Sequence, residues 1–278
     1  MNSTKTSLFN CPVCGQKLQR AEKSYRCPVG HCFDIAGNGY VHLLPANRMN
    51  SKEPGDDKSM VKARSEFLGK GYYAPLREAL SRLCVQYAPH GAALLDLGCG
   101  EGYYTGGVIA ALTDAKKAPL GAGIDIAKSA VKLAARQSPT AEFAVASVFH
   151  LPVGDNSMDL LLNCFSPLCI PEILRTLKPG GHFLYVVPGA MHLWGLKSAV
   201  YAQPYQNEVK ETLYEGLRYV EIHHVEDTIH LSCKEDIDNL FRMTPYFWKT
   251  SKEDQDKLSG LDTLDTPISF DIHIYKKL

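Results

Sequence analysis

Four residues near the start of the chain have the side chains and the spacing to hold a metal ion. Two residues separate Cys11 from Cys14, three separate Cys27 from His31, and twelve lie between the pairs. Zinc takes four soft or borderline ligands at the corners of a tetrahedron, and two short-spaced pairs on two tight turns supply them. Gly15 and Gly30 relax the turns beside the thiolates. Cys32 adjoins His31, so an all-cysteine set is the alternative to Cys11, Cys14, Cys27 and His31, and the spacing favours His31. With all four corners filled by protein, no position stays open for catalysis, and the expected site is structural.

A second group of residues points to a bound small molecule. In "LLDLGCGEGYYT", residues 94–105, Gly98, Gly100 and Gly102 let the backbone turn sharply and approach a ligand closely. Nucleotide and phosphate sites use such turns too, so the acids decide the ligand. Asp96 precedes the turn and Glu101 lies inside it. They would repel a pyrophosphate and attract the sulfonium and ammonium of S-adenosylmethionine. Asp125 stands 23 residues past Gly102, at the end of the next apolar run, where a carboxylate can accept hydrogen bonds from both ribose hydroxyls.

The elements that must carry these residues follow from patterning. "AALLDLG", "LGAGID", "AEFAVAS" and "MDLLLNCF" read as buried strands, and a fifth follows the turn in "KPGGHFLYVVPG". "YYTGGVIAALTDA", "IAKSAVKLAARQ" and "PEILRTL" alternate with them as helices, which predicts an α/β, Rossmann-like parallel sheet covered on both faces. Upstream, "DKSMVKARSEFLGKG" and "YYAPLREALSRL" have helical spacing, with Asp57 or Ser59 as cap. "DTIHLSC" and "ISFDIHIY" look like further strands. The chain of 278 residues, 45% hydrophobic and 22% charged, suits one such domain plus a small module. We expect a zinc module over residues 1–48, a polar linker over 49–58 and the catalytic domain over 59–278.

Composition excludes several classes. No apolar run is long enough to span a membrane, and "MNSTKTSLFN" lacks the core of a signal peptide. Nine unevenly spaced cysteines without an export signal read as reduced thiols around one metal site, so a cytoplasmic protein is expected. The formal charge is zero, yet residues 1–48 hold six Lys or Arg against two acids, a net of +4 that leaves −4 elsewhere. Residues 58–82 are also basic, with Lys58, Lys62, Arg64, Lys70, Arg77 and Arg82 against Glu66 and Glu78. This suits a polyanion partner, although charge alone favours a solvated face. Tyr25, Phe33 and Tyr40 lie among the basic residues and either stack on exposed bases or form the core of the module.

"DLGCGEG", Asp125 and "LKPGG" at 177–181 occur in the order and spacing of the class I S-adenosylmethionine-dependent methyltransferases, which residues 60–278 resemble. One departure concerns the adenine: the family usually has an acid at the end of the third strand, where this chain has Ser147. Nearly the whole chain is similar to the bacterial 23S rRNA (guanine-N1)-methyltransferases that modify hairpin 35, through the metal pairs, "FD" at 33–34, "GNGYVHLLP" at 37–45, "EPGDD" at 53–57, "ARSEFLGKGYYAPLREAL", "LDLGCGEGYYT" and "MTPYFWK" at 243–249. The resemblance implies zinc on Cys11, Cys14, Cys27 and His31, and cofactor contacts at Tyr73, Gly100, Glu101 and His192. It implies 23S rRNA as partner, neither DNA nor membrane, and for some members a link to macrolide resistance; a homodimer is a further arrangement, because two metal clips could flank one RNA cleft. On the residues alone, Tyr73 reads as packing and His192 as a hydrogen-bonded loop histidine.

The expected chemistry is direct in-line displacement at the sulfonium methyl by guanine N1, on a base splayed from its helix. "NCFSPLC", residues 163–169, is the expected place to read the substrate. Phe165 is placed to stack on the base and Asn163 to hydrogen-bond the base or the cofactor, with a buried aromatic and a turn-capping amide as the alternatives. No carboxylate stands in that segment to serve as base, and Cys164 and Cys169 read as core cysteines, which leaves covalent catalysis out. Two rival functions are a small-molecule methyltransferase carrying an incidental zinc module and a non-catalytic zinc-dependent RNA-binding protein.

Overall fold

The computed structural model describes residues 5–49, 54–209 and 212–278. Residues 1–4 of the expected zinc module and 50–53 of the expected linker therefore lie outside the described residues. The N-terminal segment forms a four-stranded antiparallel sheet from β1 (Lys5–Asn10), β2 (Lys17–Arg20), β3 (Ser24–Arg26) and β4 (Cys32–Asp34). Strand β5 (Val41–His42) leaves that sheet and pairs in parallel with a strand of the main one.

Then come α1 (Lys58–Gly69) and α2 (Ala74–Tyr87). The Asp57 carboxylate caps α1 by accepting the Ser59 and Met60 amides at 2.7 and 3.1 Å. Pro75 occupies the first turn of α2, where its missing N–H costs nothing. The expected alternation follows: β6 (Ala93–Leu97), α3 (Tyr103–Asp114), β7 (Leu120–Asp125), α4 (Lys128–Gln137), β8 (Glu142–Val145), β9 (Met158–Cys164), α5 (Ile170–Thr176) and β10 (Leu177–Pro188). After α6 (Trp194–Val200) the chain forms β11 (Leu217–Leu231), three helices α7 (Lys234–Arg242), α8 (Tyr246–Lys249) and α9 (Lys252–Ser259), and β12 (Leu264–Lys277).

The main sheet has the order β11-β12-β10-β9-β6-β7-β8-β5. It is parallel from β5 to β10, whereas β12 runs antiparallel to β10 and β11 antiparallel to β12. The five strands of the expected alternation are parallel, and the two further C-terminal strands, for which no direction was expected, add an antiparallel edge. Alternation reports which face a side chain takes and carries no sign of strand direction. Strand β11 is also longer than the expected 227–233 segment, because its exposed first half, with His223, His224 and Glu226, carries little apolar pattern.

The two faces of the sheet bury different partners. Leu94, Leu160, Leu162, Leu184 and Val186 point toward Phe67, Leu76 and Leu80 of α1 and α2. Their neighbours Ala93, Leu95, Leu161 and Phe183 point the other way, into one cluster with Phe9, Leu18, Tyr25, Cys11 and Cys27. The small N-terminal sheet has no core of its own and borrows a face of the large one, as a unit of a few dozen residues must. Tyr25 is buried in this cluster at 1% exposure with Phe33 packed partly buried against it, and Tyr40 is buried at 7% in a separate cluster with Val131 and Phe143. Of the two readings of these rings, core is the one the structure gives.

Because the cores are continuous, Phe9→Ala should cost about 3–5 kcal/mol, the range for deleting a buried aromatic. Chemical denaturation followed at both ends of the chain should keep one transition. Two separated transitions would show that the N-terminal sheet folds by itself.

Candidate active site and metal centre

The metal-ligand donors converge. Cys11, Cys14, Cys27 and His31 place their ligand atoms within 4.8 Å of one another. Nδ1 of His31 lies 3.6 Å from Cys11 Sγ and 3.3 Å from Cys27 Sγ, and the Cys14 and Cys27 sulfurs are 3.6 Å apart. Zinc–sulfur bonds of about 2.3 Å and zinc–nitrogen bonds of about 2.0 Å require tetrahedron edges of roughly 3.5–3.8 Å, so the donor set fits a zinc ion with little adjustment. Cys32 is exposed on β4 and stands outside the cluster. Gly15 and Gly30 sit at φ +73° and +99°, a region side-chain-bearing residues disfavour.

The glycine turn connects β6 to α3 with Gly98, Gly100 and Gly102 at φ +74°, +55° and +84°. The three differ in what surrounds them. A Cβ on Gly98 would come within 2.2 Å of Ser166 Oγ, and one on Gly102 within 2.9 Å of the Ala134 Cβ on α4. A Cβ on Gly100 would meet nothing nearer than Arg64 Nη1 at 3.8 Å, since this glycine faces an open cavity. Asp125 ties the turn in place: its Oδ2 accepts the Gly100 N–H at 2.9 Å and its Oδ1 the Ala127 N–H at 2.8 Å.

That cavity measures about 690 Å³, a size typical of small-molecule sites. Among the expected cofactor residues, Tyr73, Gly98, Gly100, Glu101, Asp125 and His192 line it. Asp96 and Gly102 do not, and the expectation of direct contact is corrected for both. Gly102 is spent on close packing against α4. Asp96 lies behind the turn, 1% exposed, where it accepts the Thr105 hydroxyl at 2.6 Å.

The site is prepared for a cation. Burial, reinforced by Asp125 and Glu101, pushes the Asp96 carboxyl up to about 7. Burial likewise raises Glu101 and Asp125. Oε2 of Glu101 and Oδ1 of Asp96 are buried and have no hydrogen-bond partner among the described residues. An acceptor left without a donor in the interior is costly; at Glu101, which lines the cavity, the ammonium of S-adenosylmethionine would relieve it, while Asp96 behind the turn adds negative charge from a distance. The residues present therefore fit that cofactor.

Tyr73 and His192 form a fixed pair on the wall. Nδ1 of His192 accepts the Ser269 N–H at 3.3 Å, so the neutral ring carries its proton on Nε2 and donates to the Tyr73 hydroxyl at 3.4 Å. Burial depresses His192 to about 3, with Lys197 adding to the effect, so the ring stays neutral and does not act as a base near neutral pH. Phe270 packs against both rings, with centroids at 4.8 and 4.6 Å.

The turn after β9 supplies a further part of the wall, with the Phe165 ring 5.7 Å from that of Phe270. Phe165 lines the cavity, is 46% exposed and adopts φ +61°. Such a φ is unusual for a bulky residue and marks a turn held by its surroundings. Asn163 does the holding: its Oδ1 accepts the Ser166 N–H at 3.1 Å and its Nδ2 donates to the Pro167 carbonyl at 3.1 Å. Asn163 is fully buried and does not line the cavity. The expectation that it bonds base or cofactor is corrected, because both ends of its amide are committed to the turn. Burial raises the Cys164 thiol well above its usual range, so it stays protonated.

Sequence reasoning missed Asp56, Met60, Arg64, Leu68, Phe149, Tyr104 and Tyr246, which also line the cavity. A signal existed for three of them. Met60, Arg64 and Leu68 recur every four residues, a lone arginine within one apolar stripe of α1. Most of the basic 58–82 segment is engaged internally. Arg64 pairs with Asp56 at 2.6 Å, Lys70 with Asp236 at 2.5 Å and Lys62 with Glu66 at 3.5 Å, while Arg77 lies over the Tyr103 ring at 4.5 Å. A second cavity of about 510 Å³ runs between the metal-bearing turn, at Asn10, Cys11 and Pro12, and the 147–155 loop, and Ser147 lines both cavities.

Comparison with known proteins agrees with this geometry. A family profile described as "RlmA, N-terminal", a zinc ribbon, matches residues 9–52, and one described as "Methyltransferase domain" matches residues 89–244. The 23S rRNA (guanine(748)-N(1))-methyltransferase of Streptomyces fradiae is 38% identical over 203 residues, covering 72% of this chain and 70% of that protein. A Bacillus subtilis (strain 168) protein with the provisional name 23S rRNA (guanine-N(1)-)-methyltransferase YxjB is 30% identical over 291 residues, covering 98% of both chains. A solved structure from Anaeromyxobacter dehalogenans, provisionally titled a type II methyltransferase, shares the fold with a TM-score of 0.52 at 18% identity, over 72% of this chain and 94% of that one.

The raised carboxyls give binding a defined pH dependence. A cationic ligand favours their ionised forms, so binding releases protons and weakens as pH falls below about 7. Calorimetric titration should show S-adenosylmethionine affinity falling about tenfold between pH 8 and pH 6, the loss expected from one carboxyl titrating near 7. A flat profile would show that the carboxylates are already ionised in the empty site.

Proposed function

The chain belongs to the 23S rRNA (guanine-N1)-methyltransferase family, and from that premise we propose that it methylates N1 of one guanine in hairpin 35 of 23S rRNA. The observation that carries the reading is a single cavity joining two chemistries: the glycine turn with Glu101 and Asp125 on one wall, and the half-exposed Phe165 on another. S-adenosylmethionine supplies an electrophilic methyl on its sulfonium, which guanine N1 takes by in-line displacement while losing its own proton.

The residues of the chain divide the remaining work. Asp125 holds the Gly100 amide at the turn and offers its remaining lone pairs to the ribose hydroxyls. Glu101 presents its unpartnered Oε2 to the methionyl ammonium. Tyr73, whose oxygen accepts the His192 Nε2–H, turns its own hydroxyl hydrogen outward as a donor to the ligand. Phe165 stacks on the splayed guanine, and Asn163 sets the turn that aims it. Ser147 adjoins the Phe149 amide and takes the place at the end of β8 where the wider fold has an acid.

Four protein ligands give the zinc ion a structural role. It shapes the turn that borders the smaller cavity, which opens beside the methyl-transfer cavity at Ser147. Nucleotides flanking the target guanine occupy that groove. The reading extends to a cytoplasmic site of action and to a homodimer whose two N-terminal sheets flank one RNA cleft.

The test uses methyl-labelled cofactor and unmodified 23S rRNA, followed by primer extension, because a methyl on N1 blocks base pairing. One strong stop at a guanine of hairpin 35 is expected, and labelled cofactor bound without label in RNA would sink the proposal. Phe165→Ala should lower kcat/KM for RNA roughly ten- to a hundredfold, the loss of about 1–3 kcal/mol of base stacking, with cofactor affinity nearly unchanged.

A further inference from the structure

Arg64 is a basic residue in an acidic wall. Among the described lining residues of the 690 Å³ cavity it is the one arginine or lysine, facing Asp56, Glu101 and Asp125. A cavity built only to attract a sulfonium and an ammonium would exclude a guanidinium, which repels both. S-adenosylmethionine carries one anionic group, the α-carboxylate of its methionyl arm. Its α-ammonium sits on the same carbon, so a carboxylate donor and an ammonium acceptor must stand side by side.

That juxtaposition is present. Arg64 Nη1 lies 3.8 Å from the point where a Cβ on Gly100 would stand, and Gly100 directly precedes Glu101, whose Oε2 is buried and unpartnered among the described residues. Asp56 engages Arg64 through Nη2 at 2.6 Å, while Nη1 and Nε hydrogen-bond to no group among the described residues. The guanidinium is thus anchored from one side, its side chain 22% exposed, with donors left over. Asp56 is itself fixed, because a Cβ on the neighbouring Gly55 would meet Ile126 and Ala127 at 2.8 and 3.0 Å.

We propose that Arg64 binds the α-carboxylate of S-adenosylmethionine, with Asp56 as the residue that positions it. The inference rests on the methyltransferase reading above. It makes the strap at residues 54–57 and the first turns of α1 part of the cofactor site. A planar, always-charged fork suits a carboxylate better than a lysine would.

Calorimetry of the full-length protein with two ligands tests this: S-adenosylmethionine and its decarboxylated analogue, which keeps the sulfonium and the amine. The wild-type protein should prefer the carboxylated ligand at least tenfold, as expected for a charge-assisted hydrogen bond. Arg64→Met should bring the two affinities within about threefold of each other while binding the analogue no more weakly than the wild type does, and Asp56→Asn should narrow the preference partway. A wild-type protein that does not discriminate would overturn the assignment without any variant. Equal weakening of both ligands by Arg64→Met would do the same, since that marks a structural role. Failure of the wild type to bind either ligand would instead sink the methyltransferase reading, and this proposal with it.

Discussion

The carboxylate of Asp125 holds the catalytic end of the sheet together. Its two oxygens accept amides from two different turns, Gly100 after β6 and Ala127 after β7. Each of those turns supports a further piece. The Gly100 turn carries Glu101 and packs through Gly102 onto α4, while Ile126 and Ala127 receive Gly55 of the strap that leads into α1. The left-handed glycine turn has few conformations that also satisfy its amides, and the paired acceptors select one. Burial at this point is electrostatically expensive, which raises the carboxyl and leaves the site primed for positive charge.

The second constraint is the shared core. Four metal-ligand side chains converge at one point, yet the sheet around them is too small to bury much apolar surface. Phe9, Leu18 and Tyr25 complete their burial against Leu95, Leu161 and Phe183 of the central strands. The metal-bearing turn is thereby held at a set distance from the Ser147 loop, and the groove between them is a fixed feature of the fold. Gly55 and Asp56, just before α1, line the cofactor cavity, and the metal end and the methyl-transfer end are joined through the shared core.

Charge is distributed to match two kinds of ligand. Among the described lining residues the cavity sets carboxylates around one arginine, suited to a cationic, zwitterion-bearing cofactor. Among the described side chains of the N-terminal and 58–82 segments, several basic groups are engaged internally: Lys17 donates to the Leu8 carbonyl, Arg20 lies over Tyr25, and Lys62, Arg64 and Lys70 pair with acids. Shape and aromatic surface at Phe149 and Phe165, 52% and 46% exposed, are left to distinguish the acceptor.

The order of elements, the metal pairs and the glycine turn were legible in the chain because each is a local matter. Periodicity reports burial, a C-x2-C pair reports a tight turn, and a glycine run reports positive φ. Glu101 and Asp125 could be read for the same reason, since their position relative to the turn is set by a few residues. What tertiary structure alone decided is where side chains go once strands from distant segments meet. Asp96 and Asn163 have the right chemistry and proximity in sequence, yet both are turned inward by partners, Thr105 in one case and the 166–167 backbone in the other. Arg64 looked like part of a basic surface until α1 was laid against the glycine turn. The antiparallel edge of the sheet was equally out of reach, because alternation is identical in either direction along a strand. Local spacing determines which chemistry is available, and packing between segments far apart in sequence determines which of those groups face the ligand.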